Sequence, residues 1–215
     1  MKKLFAFLFV LLVCANLFAQ DLYMPRNVRA AFKKETRSPD GKPGKNYWQN
    51  TADYNIRITI NPETGLVTGT EDIVYKNNSP NPIESPVIKI AMNIHRPGVP
   101  REYPASPDYL TDGVTIEEFK ENDKVREWRD AGQTVQPVRL EKRLNPGESV
   151  KLSFKWRYTL SKESNREGKV YENSYFLAYF YPRLAVYDDV DGWDRTPFTD
   201  GHEFYNGFGD YNLDV

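Results

Sequence analysis

The chain has 215 residues, 29 Lys and Arg against 30 Asp and Glu, 14% aromatic residues and one cysteine. So even a charge balance gives no basis for nucleic acid or an anionic membrane surface as partner. A single cysteine rules out a disulfide framework, so stability has to come from packing.

Residues 1–19 read as a secretory signal peptide. Lys2 and Lys3 form a basic start, an apolar run follows through Val13, and Ala19 is a small residue suited to cleavage before Gln20. The run is too short to span a membrane. Cys14 raises a lipoprotein alternative, but Val13 stands where a small residue would be wanted. The reading places the protein outside the cytoplasm, in the periplasm or extracellular. Without the leader's two lysines the balance becomes 27 basic to 30 acidic residues.

Residues 20–46 form a polar, irregular N-terminal arm, extended or partly disordered. Ser38-Pro39-Asp40-Gly41-Lys42-Pro43-Gly44 is punctuated too often for a helix or strand interior. Residues 47–215 read as a β domain. Tyr54, Ile56, Ile58 and Ile60 alternate with polar residues, which is the period of a half-buried strand. A turn at Asn61-Pro62-Glu63-Thr64-Gly65 leads to a second strand, 66–76, and residues 87–94 read as a third. Four prolines between positions 97 and 107 make 95–113 a long loop. Residues 114–119 and 124–128 flank Glu121-Asn122-Asp123 as a hairpin, with a helix over 116–130 as the alternative. A strand at 135–144 precedes the turn Asn145-Pro146-Gly147-Glu148. Val150, Leu152, Phe154, Trp156, Tyr158 and Leu160 then give the clearest alternation in the chain. Residues 161–173 read as a charged loop. The aromatic stretch 175–187 reads as the last long strand, buried on both faces in its first half and interrupted at Pro182. The chain ends within an alternating pattern, Tyr211-Asn212-Leu213-Asp214-Val215, as if it continued. The fold expected is all-β, an antiparallel sandwich or saddle of curved sheets with no convincing amphipathic helix.

Catalytic chemistry is sparse. His202-Glu203 opens like H-E-x-x-H, but Asn206 stands where the second His is required. His95, beside Arg96-Pro97-Gly98, reads as a strand-end surface residue. Asp188, Asp189, Asp191 and Asp194 do not match a calcium loop and read as a solvated turn. The chain therefore offers no catalytic residue and no metal site.

An ordered set of segments resembles a known family. Tyr47-Trp48-Gln49-Asn50, Asn61-Pro62-Glu63-Thr64-Gly65, Gly69-Thr70-Glu71, Tyr75-Lys76-Asn77-Asn78-Ser79-Pro80, Leu144-Asn145-Pro146-Gly147-Glu148, Tyr181-Pro182-Arg183-Leu184-Ala185-Val186-Tyr187 and Glu203-Phe204-Tyr205 follow one another. In that order they are similar to the N-terminal region of aminopeptidase-N-type (gluzincin) zinc metallopeptidases, secreted bacterial branch. The resemblance implies a non-catalytic, saddle-shaped β domain. It would pack on the catalytic domain of the same polypeptide and wall the peptide-substrate cleft. Zinc would sit only in that other domain, which carries H-E-x-x-H, and this chain would hold no cofactor. The family's amine-binding Gln or Glu falls at Tyr179, a weaker handle for an ammonium. The resemblance implies Tyr179 and Phe180 as substrate-cleft contacts. The competing reading is a free-standing exported β-sandwich that binds a glycan or protein partner through its aromatic run.

Overall fold

A computed structural model describes residues 23–163, 167–172, 174–201 and 205–215. The leader lies outside the described residues. The chain divides into two compact units, Met1–Asn46 and Tyr47–Val215.

In the first unit the described residues are more regular than an extended arm. Helix α1, Arg26–Lys33, follows Pro25, whose carbonyl accepts the Arg29 amide at 2.9 Å. Pro25 has no N–H to leave unpaired ahead of the first turn, and Lys33 sits favourably at the carbonyl end. Beyond it the chain turns back on itself, pairing Arg37 with Pro43 and tying Lys45 to Glu35 at 2.8 Å.

The second unit is a layered β structure. Its strands are β1 (Thr51–Asn61), β2 (Leu66–Lys76), β3 (Val87–Lys89), β4 (Thr115–Glu121), β5 (Lys124–Arg126), β6 (Val135–Pro137), β7 (Ser149–Thr159), β8 (Glu167–Tyr171), β9 (Ser174–Leu177), β10 (Arg183–Leu184) and β11 (Gly209–Asp214). The main sheet runs β11-β1-β2-β7-β4-β5, a second runs β10-β3-β6, and β8-β9 form a separate hairpin. All pairs are antiparallel except β11 on β1.

The alternating strands of the sequence become the centre of the main sheet. Ile56, Ile58, Val67, Ile73, Leu152, Phe154 and Trp156 fill its inner face and are buried. Polar residues of the same strands face outward, as period two requires. Turn chemistry sets the register. Asn61 Oδ1 accepts the amides of Glu63 and Thr64 between β1 and β2. Asn122 and Asp123 both take positive φ, 49° and 67°, the backbone that a two-residue hairpin needs between β4 and β5. Gly147 takes φ 83° after Pro146 in the turn before β7.

Four strand readings need correction. Residues 87–94 are strand only to Lys89; Ala91–His95 coil into a 3-10 turn whose residues are all buried. With every residue there buried, no wet face exists to keep the segment extended. The strand at 135–144 is regular only over Val135–Pro137; beyond it Val138 and Leu140 still donate to the Pro86 and Glu84 carbonyls, but as isolated bonds rather than a ladder. The charged segment 161–173 contains β8. The stretch 175–187 is not one long strand: Ser174–Leu177 pairs with β8, the chain bends, and Arg183–Leu184 joins β3. Its first half is not buried on both faces either, since Phe176 is 55% exposed.

Candidate functional site

The aromatic segment after β9 lies against the inner face of the main sheet. Phe180 packs on Trp156 with ring centroids 6.4 Å apart, and Tyr179 on Phe198 at 5.5 Å. Both cleft-contact residues named from the sequence are half-buried against the core. Tyr181 meets the edge of Tyr54 at 5.7 Å. Tyr54 in turn stacks on Tyr211 of β11 at 4.7 Å and 5°. The aromatic density of 175–187 is thus spent largely on covering β1, β2 and β7.

Beneath this cover sits Glu71. Its neighbours across the ladder are Ile56 and Phe154, and it is 3% exposed. Neither carboxylate oxygen has a hydrogen-bond partner, and the same holds for the indole N–H of Trp156 two residues along the facing strand. Burial pushes the Glu71 carboxyl well up. Arg183 of β10 donates to Asn206 Oδ1 and ties β10 to the segment leading into β11.

The inner face continues past its cover. Tyr211, Tyr54, Ile73 and Leu152 form one row; Leu213, Ile56, Glu71 and Phe154 form the next. Tyr211 is 53% exposed and Leu213 48%, with Phe208 more exposed still. The outward residues of β11 are polar, and Asp214 pairs with Arg57 at 2.8 Å.

A second constellation was not legible in the sequence. His95 is 4% exposed, not a surface residue. Its Nε2 lies 2.5 Å from Glu167 Oε1, and its Nδ1 lies 3.5 Å from Glu163 Oε2. Arg101 reaches both oxygens of Glu163 at 2.9 Å and Asp200 at 3.6 Å. The partners come from the 3-10 turn, the proline-rich loop, the start of β8 and the segment after Phe198. Burial raises the Glu167 carboxyl, against the pull of the His95 hydrogen bond. Sequence reasoning missed the node because the partners lie 68 to 72 positions from His95, a span that no local motif connects.

The acidic turn is a set of Asx hydrogen bonds. Asp188 Oδ1 accepts the amides of Val190 and Asp191, and Asp194 Oδ1 accepts that of Thr196. Trp48, Tyr187 and Trp193 pack around it at 5.0–5.4 Å. Asp194 also reaches back to Lys89 of β3 at 2.8 Å. Among the described residues no three His, Cys, Asp or Glu are arranged to hold a metal ion. His202 and Glu203 lie outside the described residues. No helix among the described residues is long and apolar enough to cross a membrane.

No family model matches the chain, and no curated protein does. Solved structures of an M1 zinc metallopeptidase from Deinococcus radiodurans are similar over part of it. A mutant bound to a Tyr-Ser-Ala substrate is 15% identical over 56% of this chain and 23% of that one, with TM-score 0.35. A mutant form from the same organism is 17% identical over 59% and 25%, with TM-score 0.36. A further structure of the enzyme is 16% identical over 55% and 22%, with TM-score 0.35. The chain spans about a quarter of the length of these structures.

Proposed function

We propose that residues 47–215 are the N-terminal, non-catalytic β domain of an aminopeptidase-N-type zinc metallopeptidase. In this reading the domain is exported behind a leader cleaved near Ala19. It packs on a catalytic domain and walls one side of a peptide cleft, with Tyr179 and Phe180 toward the substrate. Zinc belongs to the catalytic domain. The observation that carries the proposal is the apolar row of β11. Tyr211 and Leu213 extend the inner face of the main sheet while remaining about half exposed. Apolar rows of this kind on a folded domain mark contact surfaces. The ordered resemblance supplies the nature of the partner. Two of its segments, Asn61-Pro62-Glu63-Thr64-Gly65 and Asn145-Pro146-Gly147-Glu148, form turns between strands.

The purified chain with added zinc is expected not to hydrolyse L-aminoacyl p-nitroanilides; zinc-dependent turnover would overturn the non-catalytic assignment. Tyr211→Asp with Leu213→Asp tests the surface. The variant is expected to fold with a somewhat lower Tm, because the Tyr54–Tyr211 stack is lost, to bind less of an apolar dye, and to lose capture of an aminopeptidase-N-type catalytic domain supplied in trans. Unchanged dye binding and unchanged capture would remove β11 as the contact surface.

A further inference from the structure

The even charge balance of the whole chain hides a separation between its two units. Residues 23–46 carry seven Lys and Arg against two Asp and Glu, while residues 47–215 carry 20 against 27. Both acids of the arm are engaged, Glu35 with Lys45 at 2.8 Å and Asp40 with Lys42 at 3.5 Å. Four cations of α1 and its C-terminal cap, Arg26, Arg29, Lys33 and Lys34, are exposed. Among the described residues none of the four has a carboxylate partner. Arg29 reaches only the Met24 carbonyl, at 3.5 Å.

Helix spacing sorts these residues. Arg26, Arg29 and Lys33 stand three and four positions apart and share one face, with Lys34 beside them. Val28, Ala31 and Phe32 fall on the other side, where Ala31 is buried and the other two are half-buried. The apolar side is therefore already covered, and the helix offers a row of charge outward. Tyr23, three residues ahead of Arg26, is 86% exposed.

A row of exposed cations without an apolar centre suits one class of partner. Exposed ion pairs between fitted protein surfaces contribute little, and tight protein interfaces are built on buried anchors that this face lacks. A dissolved polyanion such as nucleic acid can reach any side of the molecule and would meet the acid excess of residues 47–215. A bilayer of anionic lipids touches only the face turned toward it. Its headgroups are mobile, so each Lys or Arg finds a phosphate without a matched geometry. An exposed Tyr sits well at the headgroup level of such a surface.

We propose that the outward face of α1, made of Arg26, Arg29, Lys33 and Lys34 with Tyr23 ahead of it, is a contact surface for an anionic lipid bilayer. The helix lies on the headgroups by charge, does not insert, and is released by salt.

Vesicle flotation tests this on the whole chain. Neutral phosphatidylcholine vesicles measure uptake that does not depend on charge, and Lys2 and Lys3 are common to all variants. Vesicles with about a third phosphatidylglycerol are expected to take up the chain more strongly, by about fivefold in partition for each cation in contact. Arg29→Gln with Lys33→Gln should lose about 25-fold of that preference, and adding Arg26→Gln and Lys34→Gln should bring it close to none. Arg26→Lys with Arg29→Lys should keep it, since a fluid surface reads charge and not the guanidinium fork. Raising NaCl from about 0.05 M to about 0.5 M should release the protein, and inorganic phosphate at matched ionic strength should do no more than the salt. Equal uptake by neutral and anionic vesicles would overturn the proposal. So would a four-Gln variant that binds as the wild type does. Retention on heparin without uptake by vesicles would overturn it too, and would make a dissolved polyanion the partner.

Discussion

The indole of Trp156 occupies the space that a side chain at position 69 would take. A Cβ placed on Gly69 would stand 2.2 Å from Trp156 Cζ2, with two more ring atoms within 2.7 Å. Gly69 and Trp156 are ladder partners in β2 and β7, and Trp156 is among the most completely buried large side chains. The glycine is needed there for the ring, not for the backbone. Gly69→Ala should therefore displace the indole and cost about 1–3 kcal/mol. Trp156→Ala should cost about 3–5 kcal/mol by leaving a cavity. In Gly69→Ala/Trp156→Ala the two losses should add up to less than their sum, since the clash disappears with the ring. Urea unfolding of the four proteins reads this directly; strict additivity would mean that the two residues do not compete for the same space.

Glu71 should make the domain less stable as pH rises. The buried carboxyl is raised well above its ordinary value by desolvation, with neighbouring Asp72 adding to it. Unfolding exposes it to water and lets it ionise, so the folded state loses ground above the unfolded pKa at up to about 1.4 kcal/mol per pH unit. Below that value both states are protonated and the difference vanishes. Glu71→Gln removes the titration and should raise Tm at mildly alkaline pH while leaving it nearly unchanged near pH 4. An equal shift at both pH values would show that packing, not protonation, is responsible.

Asn122 and Asp123 carry the β4–β5 hairpin on positive φ angles. Asn122 also locks that hairpin to β7, its amide donating to the Lys151 carbonyl at 2.8 Å and its Oδ1 accepting the Lys151 amide at 3.0 Å. Asn tolerates the left-handed region; Ala does so at a cost of about 1–2 kcal/mol. Asn122→Ala loses both the conformation and one hydrogen bond, and should cost about 2–3 kcal/mol in equilibrium unfolding. Asn122→Gly keeps the conformation and should cost distinctly less. If the two variants lose the same amount, the hydrogen bond rather than the backbone sets the turn.

What was legible in the sequence is what has a wet side and a dry side. Tyr54, Ile56 and Ile58 in β1, and Val150 to Tyr158 in β7, bury alternate residues, so period two shows directly. The signal fails where every side chain is buried. Ile88, Ile90, Met92 and Ile94 alternate with residues that are buried as well, and the chain coils after Lys89 without breaking any pattern. It fails again in β8, whose buried residues are Glu167 and Gly168, neither of them aliphatic. The half-buried Tyr179 and Phe180 were named from resemblance alone. The node around His95 depends on residues some 70 positions away, so it became visible only once the chain was folded.

Lys89 and Asp194 give the sharpest test of how the second sheet is held to the acidic turn. The Lys89 side chain is 3% exposed; its ammonium donates to Asp194 at 2.8 Å and to the Thr196 carbonyl at 2.6 Å. Burial lowers Lys89, and the pair opposes that shift. At Asp194 burial alone would raise the carboxyl, but the Lys89 ammonium and the Thr196 amide hold it below its ordinary value. A lowered carboxyl stabilises above its unfolded pKa, and that contribution is lost as pH falls through the folded one. Asp194→Ala leaves a buried cation with one neutral acceptor and should cost about 3–5 kcal/mol at neutral pH. Lys89→Met with Asp194→Ala removes both charges and should recover most of that loss. Acid unfolding of the double variant should also begin at lower pH than that of the wild type, because one titrating link is gone. A double variant as unstable as Asp194→Ala would show that the turn is held by shape alone, with the ion pair incidental to it.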